Sequence, residues 1–189
     1  MADSGLLEVE NPSLMFLEGR PTDASGTCVA CIMEGSRPIM AEVQALVSKS
    51  STSQPRRTAT GFDYFRMSMI IAVLEKRLGY FFGGLDVFIN IVGGLKLDDT
   101  AADLSVAMAL YSSVTDKVVD EKTIAFGEIG LGGELRSITH AEQRIQEAER
   151  MGFEKCILPY HTVKKLNTAK YTINIVGVRS IKDAFREIG

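Results

Sequence analysis

Lys96-Leu97-Asp98-Asp99-Thr100-Ala101-Ala102-Asp103 stands between an apolar, β-branched run, Leu85 to Val92, and an apolar helical stretch, Ala101 to Tyr111. A nearly unbroken apolar run of that length is expected of a strand covered on both faces. The octapeptide is then the loop through which a buried strand hands the chain to a helix. Upstream, Gly26 to Glu34 and Arg37 to Val47 are β-rich runs joined by Gly35-Ser36, a two-residue connection of the kind that closes a hairpin. Between hairpin and buried strand, Ser48 to Pro55 reads as a polar mobile loop. Asp63 to Arg77 carries apolar residues at Phe65, Met69, Ala72, Val73 and Leu74 in a 3.6-residue period, with Gly79 placed to end the helix.

Downstream, strand candidates Lys122 to Phe126 and Glu134 to Ser137 bracket the glycine-rich Gly127 to Gly133. Thr139 and Glu142 fit a capping box for a helix that Gly152 stops near Met151. Lys155 to Pro159, a short helix near Val163 to Leu166, Tyr171 to Val176 and a helix Ile181 to Ile188 continue the alternation. An antiparallel opening followed by alternating strands and helices predicts an α/β (α+β) fold, a mixed sheet with helices packed against it.

With 46% hydrophobic and 24% charged residues, the 189-residue chain belongs to the globular class and has material for a core. Its formal charge of -3 excludes a uniformly basic coat, so any nucleic-acid contact must come from a local patch. The start, Met1 to Gly5, has no basic or apolar region of a secretory signal, which predicts a cytoplasmic protein. The most apolar window, Leu78 to Leu95, is broken by Asp86, Asn90 and glycines, so no membrane partner is expected. Cys28 and Cys31 have knuckle spacing, but residues three apart on a strand face opposite ways, so reduced, buried thiols and no metal site are expected.

Several chemistries are missing at the level of residue type. There is no Gly-x-x-x-x-Gly-Lys-[Ser/Thr] phosphate cradle and no Gly-x-Ser-x-Gly elbow. Gly130 to Leu135 lacks the last glycine of a dinucleotide fingerprint, and His140 and His161 lack ligand spacing.

Lys96 to Asp103 resembles the Lon-type peptidase motif Pro-Lys-Asp-Gly-Pro-Ser-Ala-Gly, with Ala101 in the nucleophile's place. Gly127 to Glu142 resembles, without a gap, the Lon segment Gly-Glu-Val-Thr-Leu-x-Gly-x-Val-Leu-Pro-Ile-Gly-Gly-Leu-Lys, with Glu142 in place of the catalytic lysine. A serine-lysine dyad needs a hydroxyl to attack and a neutral amine to take its proton. A methyl group and a carboxylate supply neither, so the resemblance implies a pseudo-peptidase with no catalytic residues. Ser105 lies four residues further along the same helix, a full turn from the nucleophile's position.

The phrases Leu7 to Ser13 with Phe16-Leu17, Pro55 to Asp63, and Met69 to Arg77 resemble the RadA (Sms) family along nearly the whole chain. That resemblance implies the Lon-protease-like, ribosomal-protein-S5-domain-2-like fold for residues 19–189, after a connecting segment 1–18. In that family the domain follows a zinc finger and a RecA-like ATPase, so ATP, magnesium and zinc are expected only in those parts and no cofactor in this one. It also implies a hexameric ring that takes part in DNA repair and recombination through branch migration, with a recombinase or replicative helicase as further partner.

Arg56 and Arg57 have no acidic residue within five positions on either side, and Arg66, Lys76 and Arg77 add charge on the following helix. These five are the candidate DNA contacts, against the plainer reading of a solvated loop and helix face. Two other functions fit the same sequence: an active peptidase with an unusual nucleophile, and a protein-interaction module that does not touch DNA.

Overall fold

The computed structural model describes residues 12–188. Most of the expected connecting segment, residues 1–11, and with it Leu7 to Asn11 of the opening RadA-like phrase, lies outside the described residues. The chain opens with α1 (Pro12–Leu17), β1 (Thr27–Glu34), β2 (Arg37–Lys49), β3 (Arg57–Thr60), α2 (Tyr64–Leu78) and β4 (Leu85–Ile91). A 3-10 turn, Thr100–Ala102, then enters α3 (Asp103–Thr115). After it come β5 (Thr123–Ala125), β6 (Glu128–Ile129), β7 (Leu135–Arg136), α4 (Ala141–Arg150), β8 (Lys155–Pro159), α5 (Tyr160–Val163), β9 (Asn174–Val178) and α6 (Ile181–Phe185).

Seven strands make one mixed sheet in the order β3-β4-β2-β1-β5-β8-β9, and β6 and β7 form a separate small hairpin. The predicted β1–β2 hairpin is present, closing with Glu34 opposite Arg37. β2 runs antiparallel to both β1 and β4, while the remaining neighbours are parallel. Six strands therefore share one direction and β2 alone opposes them.

Alternate residues of β1 serve different layers, as the pleat requires. Cys28, Ala30 and Ile32 pack in the larger core with α2, α3 and α6, whereas Val29 and Cys31 pack with Ile145 and Ala148 of α4. The expectation that the two cysteines face apart is met. All three cysteines are buried free thiols, and burial pushes Cys28 and Cys31 up to about 12. An alkylating reagent at neutral pH is expected to leave the folded chain unmodified and to label all three thiols only in denaturant, which mass spectrometry checks.

α3 is the central helix: every residue from Asp103 to Ser112 is buried. It packs on β1 and β2 of the sheet and also against α2 and α6. No described helix is long and apolar enough to cross a membrane.

Several boundaries differ from expectation. Ser48 and Lys49, expected to open the loop, extend β2, and Arg57–Thr60, just beyond the expected loop, is a parallel edge strand held to β4 from Arg57–Val87 to Thr60–Asn90. On α2 the buried face is Met67, Ile70, Ile71, Val73 and Leu74, which leaves Phe65, Met69 and Ala72 exposed. The helix is apolar on overlapping stripes, and the sheet and the β6–β7 hairpin decide which one is covered. The Thr139–Glu142 capping box does not form: His140 occupies the cap position in the left-handed region (φ 56°) with no side-chain cap. A capping box forms instead on α6, between Ser180 and Asp183. The short helix α5 starts three residues earlier than predicted.

Candidate functional site

The loop between β4 and α3 is built by its carboxylates. Leu97 N donates to Gly61 O (2.8 Å), which seats the loop against the exit of β3. Asp99 then caps the 3-10 turn, its Oδ1 accepting Ala101 N at 2.9 Å, the arrangement a short polar side chain gives at a helix start. Its Oδ2 accepts Met33 N (3.2 Å) and Arg144 Nη2 (2.5 Å). Arg144 is 1% exposed and also donates from Nε to Thr139 O (3.1 Å) and from Nη1 to Cys31 O. One guanidinium thus ties α4, the end of β1 and the loop together. Burial alone would push the Asp99 carboxyl up, but the bonds from Arg144, Ala101 N and Met33 N outweigh it and hold the group below its ordinary value.

A second pair stands one turn later. Asp103, with no exposed surface, accepts Arg66 Nε at Oδ1 (2.7 Å) and, at Oδ2, Arg66 Nη2 and Ile129 N (3.0 Å). Burial is the larger influence on this carboxyl and pushes it up, partly offset by Arg66 and the Ile129 amide. Gly127 completes the attachment, its amide donating to Ala101 O (2.7 Å) and its carbonyl accepting Leu104 N (3.0 Å).

Of the two positions taken over from the Lon motif, Ala101 is 1% exposed with its methyl in the α4-side core, and Glu142 is exposed on the first turn of α4. Glu142 lines an open pocket of about 430 Å³ with Ser137, His140, Thr162 and Lys165. Ser105 is fully buried and donates to Ala102 O (3.0 Å). The exposed hydroxyl of this loop, Thr100, lies 3.1 Å from a carboxylate oxygen of Glu128.

The five candidate DNA contacts do not share one surface. Arg56 lies at the edge strand, where its backbone amide donates to Asp86 Oδ1 (2.7 Å) and its guanidinium to Oδ2 (3.4 Å). Its acidic partner is far away in sequence and therefore escapes a search of neighbouring positions. The Arg56 amide, with the Ser50 hydroxyl and the Arg56 charge, holds Asp86 below the usual carboxylate range. Arg57 is half-buried in β3. Arg66 is the partner of Asp103, and its side chain is only 25% exposed. Lys76 and Arg77 are exposed at the far end of α2, with Arg77 Nε donating to Leu131 O (3.3 Å). Eleven residues of helix at ~1.5 Å each put Arg66 and Arg77 roughly 16 Å apart.

Arg144 and Asp103 are the structural centre that residue types alone did not disclose. A signal existed: Ala141, Arg144, Ile145 and Ala148 fall on one helical face, so the apolar stripe of α4 runs through Arg144.

Residues 65–162 match the family model described as subunit ChlI of Mg-chelatase. The chain is 42% identical over 184 residues to the DNA repair protein RadA of Halalkalibacterium halodurans, covering 97% of this chain and 40% of that protein. Against the protein of the same name from Streptococcus pneumoniae it is 43% identical over 188 residues, 100% of this chain and 44% of that one. Against that of Synechocystis it is 48% identical over 159 residues, 84% of this chain and 32% of the relative. The chain therefore spans less than half the length of these relatives.

Proposed function

Because this chain belongs to the family described as subunit ChlI of Mg-chelatase and is the Lon-like domain of the RadA lineage, we propose that it serves DNA repair as a non-catalytic scaffold. The observation that carries this reading is the state of the motif loop. Where a Lon-type dyad keeps its alcohol and amine, this chain has a buried methyl at Ala101 and an exposed carboxylate at Glu142. Ser105 cannot stand in, because its hydroxyl is enclosed and bonded to Ala102 O. Thr100 faces a carboxylate, which lacks the amine base the dyad chemistry uses. Ion pairs now hold the loop, so the region retains its architecture as a platform.

In this reading the domain assembles into a ring, hexameric in the whole protein, while ATP-driven branch migration belongs to an ATPase part outside this chain, which would also hold ATP, magnesium and zinc. Self-association is supported by the exposed apolar face of α2, where Tyr64, Phe65 and Met69 stand uncovered, and by Leu131 at the tip of the β6–β7 hairpin. Contact with DNA would be directed to the backbone and indifferent to sequence, through Arg56 and Arg57 at the sheet edge and Lys76 and Arg77 at the end of α2. Arg66 is the weakest of the five, since Asp103 already neutralises it.

The test has three measurements on the purified chain. Light scattering is expected to show a ring-sized species, and a fluorogenic peptide to remain uncut. Duplex DNA is expected to bind in a salt-sensitive way, weakened roughly tenfold at low salt by Arg56→Ala with Arg57→Ala. Peptide cleavage abolished by a point change in the chain overturns the non-catalytic reading, and a monomer indifferent to DNA overturns the scaffold.

A further inference from the structure

We infer that a second basic surface, a groove walled by Lys117, Lys182 and Arg186 over an aromatic floor, holds DNA backbone phosphates; this rests on the DNA-contact reading above and moves its centre. The groove has a volume of about 340 Å³ and opens where the ends of α2, α3 and α6 meet. Tyr80, Tyr111 and Phe185 form its floor, Tyr80 edge-on to Tyr111 (5.3 Å between ring centres) and Tyr111 stacked on Phe185 (4.1 Å). Among the described residues, no carboxylate lines it.

The cations come from two stretches of chain, the turn after α3 and α6, more than sixty residues apart, which is why no charge run in the sequence announces them. Lys117 sits on a turn that cannot drift: its amide donates to Ser112 O (3.2 Å), and its carbonyl accepts the Ser112 hydroxyl, which also receives the Gly26 amide (2.7 Å). Lys182 and Arg186 are four apart on one face at α6. Lys117 and Lys182 have no ion-pair partner among the described residues, and Arg186 has one exposed contact, with Asp183 at 3.4 Å. Leu78, at the end of α2, lines the same groove.

Helix ends attract cations for a plainer reason, the negative pole of the helix dipole. That explains one lysine at one helix, not two lysines without an ion pair among the described residues and an exposed arginine gathered from two segments around one concavity. The floor also specifies what is bound. Tyr111 and Phe185 are 6% and 5% exposed and cover each other's faces, so neither ring is free to stack a base. Phosphate oxygens remain as the groups this groove can meet, and duplex DNA presents them without unstacking.

The experiment is anisotropy of a labelled duplex against the whole chain over a salt series, comparing the parent with Lys117→Gln/Lys182→Gln/Arg186→Gln and with Lys117→Gln alone. All three side chains are exposed, so the unfolding midpoint should stay unchanged and certify the fold. The triple variant is expected to lose at least tenfold in affinity, with the slope of log K against log salt shallower by about 2 to 3. Lys117→Gln alone should lose about two- to fivefold and about one unit of slope. A triple variant that binds like a DNA-binding parent overturns this groove and leaves the scaffold reading standing. A parent that fails to bind duplex at low salt overturns both.

Discussion

Replacing Arg144 with alanine is expected to destabilise the folded chain by about 3 to 5 kcal/mol, the range for removing one partner of a buried, hydrogen-bonded charge pair. The side chain is 1% exposed and serves three acceptors on three segments: Asp99 Oδ2, Cys31 O and Thr139 O. Truncation leaves the Cys31 carbonyl inside the core without that donor and Asp99 without its countercharge. Urea unfolding followed by circular dichroism reads the loss as a lower midpoint at unchanged slope. A change under about 1 kcal/mol would mean that water or another cation replaces the guanidinium, and that the loop is not held as described.

The pH dependence of the same variant follows from Asp99. Its folded-state value is depressed, so its contribution to stability is fully present above the ordinary carboxylate value, about 3.9, and is lost as pH falls through the folded value. Much of that depression is the work of Arg144. The stability gap between parent and Arg144→Ala should therefore narrow in acid, without closing, because the bonds to Cys31 O and Thr139 O do not titrate.

Arg144 also shows where the reading of residues alone stops. The β1–β2 hairpin, the helix from Asp63 to Gly79 and the strand entering the Asp98-Asp99 loop were all legible, because local period, turn residues and caps agree at each of them. A lone arginine on a helical apolar stripe carries no local mark of its distant partners, two of its three acceptors lying 45 and 113 residues away. The same holds for β3. Four residues after a polar loop gain strand structure only because β4 offers an edge, and Arg56 gains an acid only because β4 also brings Asp86 there. The buried face of α2 is only partly legible for a related reason: Val73 and Leu74 are buried, but Phe65 and Met69 lie on an apolar stripe that packing leaves uncovered. At the site, the losses at Ala101 and Glu142 could be aligned directly, while the ion pairs that stabilise the loop are products of the fold.

The pair formed by Arg66 and Asp103 supplies a sharper result, because its two halves are not equally buried. Asp103→Ala removes the acceptor of the Ile129 amide and leaves a guanidinium that is 25% exposed and can turn to water. A loss of about 2 to 3 kcal/mol is expected. It should be concentrated where β6 meets α3, so hydrogen exchange at the Ile129 amide quickens while the β1–β2 amides keep their protection. Arg66→Ala does the opposite: it strands a carboxyl with no exposed surface beside a single amide donor, which is worth about 3 to 5 kcal/mol at neutral pH. Burial already raises Asp103, and without Arg66 the rise becomes larger. A group raised in the folded state contributes stability below its unfolded value that disappears as pH climbs through the folded one. The Arg66→Ala chain should then recover part of its loss on mild acidification, whereas Asp103→Ala, with nothing left to protonate at that position, should not. Equal losses for both variants at every pH would mean that Asp103 is as open to water as Arg66, and would remove the ion pair from the account of how this loop is held.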